Sequence, residues 1–170
     1  MLRIVAALLA AALSLAGTAA HAATPQTIVQ SIEVNADPEA VWAAIGAFDS
    51  AVQWHPLVAS SPATLGNDVG SVRTVTLKEP GSPKILEELT AYNPRMQMYE
   101  YKIDSNPQDA APVTNCTVRF HVGIGKHHVT KIVWTAHFLA ADGVTAGHAS
   151  DVMNRLFRVG LENVKHMAED

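Results

Sequence analysis

The side chains that could move a proton or hold a metal are few and scattered. Cys116 is the sole cysteine, so no intrachain disulfide can form. A nucleophilic thiol needs a histidine base and an electropositive setting. Nothing adjacent in the sequence supplies either, and Cys116 reads as a buried structural thiol. His127-His128 invites a metal, but neighbours on a strand point to opposite faces, and no further histidine or acid stands at zinc-ligand spacing. No P-loop, GxGxxG, Ser-His-Asp signature or heptad run occurs. What remains is Glu87, within an alternating run that also holds Glu88, and His55, in Trp54-His55-Pro56. A slip of one residue in register would exchange the two glutamates between core and solvent. His55 also has a plainer reading, as a turn residue before Pro56.

These groups must be positioned by short strands and one long helix. His148 to Met167 carries Val152, Leu156, Gly160, Val164 and Met167 at spacings of three and four, an apolar stripe on a helix. Asp151 near its start and Lys165 and His166 near its end suit the helix dipole. Asp37-Pro38-Glu39 starts an earlier helix, with an N-cap acid, proline at the first helical position and an acid in the first turn. Its buried face is Val41, Trp42, Ile45 and Phe48, and a second short helical turn runs to about Trp54. Alternating segments follow at Leu57 to Thr64, Ser71 to Lys78, Lys84 to Tyr92, Met96 to Asp104, Val113 to Val122 and Val129 to Leu139, after a first at Thr27 to Val34. Glu79 to Pro83 and Ser105 to Pro112 are the proline-containing connections. Hairpin-length links make the sheet antiparallel, and the terminal helix must bury its stripe on it.

The composition bounds the function. The chain has 170 residues, room for one substantial core. The formal net charge of −4 and the absence of a basic run leave no field for nucleic acid. Residues 1–22 have the plan of a cleavable signal peptide: Arg3, an apolar stretch from Ile4 to Leu15, and Ala20-His21-Ala22. That stretch is short of the ~20 residues that span a bilayer, so no stable membrane anchor is expected. The destination is an export compartment, the periplasm of a bacterium, with residues 23–170 as one mature domain.

This order of elements, with Asp37-Pro38-Glu39-Ala40-Val41-Trp42, Trp54-His55-Pro56, Val113-Thr114-Asn115, Ile132-Val133-Trp134-Thr135 and Gly160-Leu161-Glu162-Asn163-Val164, resembles the SRPBCC or START-like superfamily, also called Bet v 1-like. Arg73-Thr74-Val75-Thr76-Leu77 and Pro112-Val113-Thr114-Asn115 bring it nearest to the MxaD-like periplasmic proteins of methanol oxidation. The resemblance implies an α+β helix-grip fold: a curved antiparallel sheet of about seven strands, two short helices and a long C-terminal helix around a cavity. It also fixes the strand faces. Ile85, Glu87, Leu89, Tyr99, Tyr101, Ile103, Cys116, Val118, Phe120, Ile132, Trp134, Ala136 and Phe138 would look inward, with Val152, Leu156 and Gly160 closing the space from the helix and His55 facing it. His121 and His137 would look outward.

An apolar space with a few placed polar groups is the usual character of a ligand site. The implied function is binding of a small apolar molecule (a lipid, polyketide or aromatic), with Glu87 and His55 orienting a carboxyl, hydroxyl or ketone group. The resemblance leaves two alternatives: an accessory factor that touches a periplasmic oxidoreductase, and a polyketide cyclase or aromatase with Glu87, His55 or a tyrosine as acid-base groups. No cofactor, metal or catalytic set is assigned.

Overall fold

The computed structural model describes residues 24–103 and 110–170. The expected leader and the first part of the second proline-containing loop lie outside these residues. The elements run β1 (Gln26–Val34), α1 (Pro38–Ile45), α2 (Ala51–Trp54), β2 (Val58–Ser60), β3 (Val72–Leu77), β4 (Lys84–Asn93), β5 (Met98–Ile103), β6 (Val113–Ile124), β7 (Thr130–Ala140) and α3 (Ala146–Glu169). Asp37 caps α1 as its sequence requires, accepting from the Glu39 N–H at 2.7 Å with Pro38 in the first turn. The strands form one seven-stranded antiparallel sheet in the order β1-β7-β6-β5-β4-β3-β2. With two short helices and a long terminal one, this is the helix-grip α+β fold.

Alternation places the core. Ile85, Glu87 and Leu89 of β4, Tyr99, Tyr101 and Ile103 of β5, and Ile132, Trp134, Ala136 and Phe138 of β7 are all buried. β6 needs a correction to its period. Val113 and Cys116 are both buried, although their separation is odd, because the pairing shifts between Thr114 and Thr117 and Asn115 takes a φ of 48°. Such a bulge inserts one residue and resets which side chains face in. Cys116, Val118, Phe120 and Val122 then share the inner face.

The terminal helix is longer than its sequence stripe suggested, and rotated. It starts with Thr145 as N-cap, whose hydroxyl accepts from the His148 N–H at 3.2 Å. The buried row is Ala149, Met153, Phe157, Gly160, Leu161 and Val164. Val152 and Leu156 are half-buried at its margin and Met167 is exposed. Two apolar rows overlap on this helix. The one carrying Phe157 and Met153 removes more apolar surface from water, so it faces the sheet. Around it, Gln30 donates to Asn154 at 2.8 Å and Lys165 to the Glu33 carbonyl at 2.8 Å, tying α3 to β1. No helix among the described residues is long and apolar enough to cross a membrane.

Candidate functional site

The sheet curls around α3, and most of the space between them is filled by aromatic side chains. Trp134 of β7 stacks on Phe157 of α3 with ring centres 4.1 Å apart and planes 4° from parallel. Phe120 meets Trp134 edge-on at 5.2 Å and stacks on Tyr99 at 5.2 Å. Trp54 closes the group against Phe120 and Trp134 at 5.9 and 5.7 Å. What stays open is a chamber of about 40 Å³. Of the side chains expected to face a cavity, His55, Ile85, Glu87, Tyr101, Ile103, Trp134 and Leu156 border it. Leu89, Tyr99, Cys116, Val118, Phe120 and Gly160 face inward and are buried, but they pack against neighbours and do not border the open space. Val152 lies outside altogether, because of the rotation of α3. It lines a second pocket of about 250 Å³ with Leu77, Glu79, Ala110, His148, Asp151, Arg155 and Leu156.

Glu87 is buried, on the inward face that the resemblance implies, and it is paired. Arg73 stands opposite it in the β3–β4 ladder, donates from Nε to Glu87 Oε2 at 2.5 Å and from Nη2 to the same oxygen, and gives Nη1 to the Phe48 carbonyl. Its guanidinium also lies 4.2 Å from the centre of the Phe48 ring. Burial pushes the Glu87 carboxyl up and Arg73 opposes that rise. Burial also works against the Arg73 charge, but Glu87 and the flanking tyrosines outweigh it and Arg73 is held higher than normal. Both shifts are upward, and the assignment is an ion pair whose carboxylate is the member that yields first to a proton. The sequence reading passed over Arg73. A signal was present: Arg73 shares strand parity with Val75 and Leu77, so an inward β3 face brings a base beside the inward acid.

His55 is held at both nitrogens. Nδ1 accepts from the Leu57 N–H at 3.3 Å, and Nε2 lies 3.0 Å from the Leu156 carbonyl of α3, to which it must donate. This fixes the neutral tautomer with the proton on Nε2. The bond needs Gly160. A Cβ there would stand 2.7 Å from His55 Cδ2 and 3.1 Å from Trp54 Cζ3. Glycine inside a helix costs ~1 kcal/mol against alanine, and here it admits the imidazole to the helix backbone. Burial lowers the His55 pKa from its ordinary 6.5, with the Leu156 carbonyl resisting and the Arg73 and Lys78 charges adding to the drop.

The tyrosines differ. The Tyr101 hydroxyl accepts from Trp134 Nε1 at 3.1 Å, whereas the Tyr99 hydroxyl is buried with no hydrogen-bond partner among the described residues. The Cys116 thiol is pushed up to about 12 by burial, reinforced by Glu87, which keeps it protonated and unreactive. His137 is exposed and bonded to Thr27 at 2.9 Å. His127 sits in a tight turn at φ 55°, not on a strand. No cluster of three or more potential metal ligands occurs among the described residues.

Residues 25–169 match the family model described as polyketide cyclase / dehydrase and lipid transport. The chain belongs to this family. Its fold and its neighbours place it in the SRPBCC, or Bet v 1-like, superfamily. No curated protein matches it. Among solved structures it is similar to the protein XoxI from Bacillus cereus, with 27% identity over 84% of this chain and 94% of that one, at a TM-score of 0.73. An uncharacterised protein from Bacillus thuringiensis is 27% identical over 85% of this chain and 100% of that one, at 0.74. Ara h 8.0201 shares the fold at 15% identity, covering 85% of this chain and 98% of that one at 0.69. Relative to the open grip implied for this superfamily, this member has an interior largely occupied by its own aromatic rings.

Proposed function

We propose that the protein is an exported binding protein for a compact apolar molecule with one hydrogen-bonding end. The observation that carries this is a wall shared by two spaces. Leu77 and Leu156 line both the inner chamber and the larger outer pocket. The chamber alone has room for little more than a few waters. A guest must lie mainly in the outer pocket and push its tip between the leucines, toward Tyr101, His55 and the Arg73–Glu87 pair. Together the spaces reach only the lower end of ordinary ligand sites, ~300 Å³. That size favours a small ring system over a long acyl chain. Export rests on Arg3, the apolar run after it and the small residues at Ala20 and Ala22.

Binding is favoured over a cyclase reaction because the candidate acid-base groups are committed. Glu87 is held by Arg73 and both His55 nitrogens carry structural bonds. The test is titration of the mature chain with 2-naphthol, followed by methyl chemical shifts of Leu77, Leu156 and Ile103, together with native mass spectrometry of the protein as purified. Saturable shifts confined to these methyls are expected. An unchanged spectrum at millimolar probe, with no adduct mass, removes the proposal.

The filled interior also favours a second reading, in which the outer surface is the working part and the protein assists a periplasmic oxidoreductase. Turnover of such an enzyme with and without the mature chain decides it; equal rates exclude the idea.

A further inference from the structure

His55 belongs to three structures at once: it borders the chamber, it ends α2, and it is bonded to the backbone of α3. Its ring fills the gap that Gly160 leaves. Beside it, Asn163 Nδ2 donates to the Trp54 carbonyl at 2.9 Å, so these two bonds stitch the α2–β2 turn to the terminal helix. A neutral imidazole has one donor and one acceptor, and both are used here. A second proton must go on Nδ1, which faces the Leu57 N–H. Two donors then point at each other and that bond is lost.

The surrounding groups offer no compensation. From β3 and the residue after it the ring meets the fields of Arg73 and Lys78, both cationic. The β4 carboxylate, Glu87, gives its Oε2 to Arg73, and Tyr101 of β5 accepts from Trp134. Trp54 and Trp134 contact the ring from α2 and β7, with centres 5.6 and 6.3 Å away. From α3 come only the Leu156 carbonyl and the Gly160 backbone. Among the described residues, the atom that Nδ1 faces is the Leu57 N–H, which cannot accept the new proton.

We propose that His55 is an acid-released latch on the chamber: protonation at Nδ1 expels the ring from the Gly160 gap, parts the α2–β2 turn from α3, and lets a bound guest leave. This rests on the binding reading above. The sign follows from burial, which holds the latched ring below 6.5, while a released ring regains its ordinary affinity for protons. The latch is therefore closed at neutral pH and opens as pH falls through and below 6.5. Linkage requires the converse: a guest that needs the closed latch lowers the His55 pKa further.

The test has an arm that needs no guest. Nuclear magnetic resonance of the mature chain, titrated from pH 8 to pH 4.5, follows the His55 ring protons, the Leu57 and Gly160 amides and the two indole N–H signals of Trp54 and Trp134. All are expected to move with one shared midpoint below 6.5, and the amide and indole changes should vanish in His55→Asn. Should that variant fail to fold, Gly160→Ala serves, since its methyl displaces the ring and should return the His55 midpoint toward 6.5. Leu57 and Gly160 amides that ignore the His55 titration overturn the latch. In the second arm, 2-naphthol is released at pH 7.5 and pH 5. Its dissociation should be about fivefold faster or more at the lower pH, and pH-independent in His55→Asn. If 2-naphthol binds at neither pH while the first arm succeeds, the latch stands and the binding reading fails. Equal release rates with good binding overturn the latch.

Discussion

At the residue scale the molecule turns on polar groups placed where water cannot reach them. Arg73 and Glu87 are buried together, and such a pair is worth little against well-packed apolar residues but much against half of itself. Arg73→Met should therefore cost about 3–5 kcal/mol in urea unfolding at pH 7, and Arg73→Met with Glu87→Leu should recover most of it. The single variant also has a signed pH dependence. Without Arg73, the folded pKa of Glu87 rises further above its unfolded value. Its penalty is absent where both states are protonated and grows as pH climbs through the carboxylate range. The difference from the parent protein should shrink on acidification toward pH 4; a constant difference would show that Glu87 relaxes to solvent. Tyr99 presents the opposite case. Its buried hydroxyl has no partner among the described residues, and an unmet buried polar group costs about 1–3 kcal/mol. Tyr99→Phe should raise stability by about 1 kcal/mol, read as a higher urea midpoint at unchanged slope.

At the scale of elements, the Phe157–Trp134 stack is a central contact between α3 and the sheet. Phe157→Ala deletes the ring against Trp134 and should cost about 3–5 kcal/mol, depending on how far the site collapses. The same change enlarges the chamber beside Met153 and Leu156, so the variant should take up 2-naphthol more tightly than the parent while melting lower. A loss of both stability and binding would mean that the ring shapes the site rather than blocking it. This stack also marks what the sequence could and could not disclose. Strand faces were legible because a two-residue period leaves only two choices and the family resemblance picks one, on which Tyr99, Tyr101, Ile132 and Trp134 lie. Even Glu87, ambiguous beside Glu88, falls on the face its neighbours dictate. The bulge at Asn115 was not legible, since nothing local distinguishes an inserted residue from a paired one. The rotation of α3 was missed for a different reason. Val152 and Leu156 extend the row of Gly160 and Val164 as regularly as Ala149, Met153 and Phe157 do, and only the shape of the facing sheet chooses between them. His55 was legible as an inward residue, but its partner is a backbone carbonyl on a distant helix, which no side-chain pattern announces.

For the whole molecule, the question is whether the grip opens locally or only when the sheet comes apart. Cys116 can report this. It lies on β6, between β5 and β7 near the middle of the sheet, 1% exposed, with its thiol held up to about 12. Cys116 does not border the chamber, and its strand is paired to β5 from Cys116 to His121 and to β7 on both sides of the bulge. A thiol so placed should react only through global unfolding. With an excess of Ellman's reagent at pH 8, labelling should be slower than in the urea-unfolded chain by a factor of about 10³ or more. Its rate should climb with urea along the slope of the equilibrium transition. Opening of the His55 seam, in contrast, exposes the chamber and leaves β6 paired, so acidification that releases 2-naphthol should not unmask Cys116 beyond the change in global stability. Labelling that rises in step with probe release would show that the sheet and the latch move as one body, and that the protein cannot release a guest without beginning to unfold.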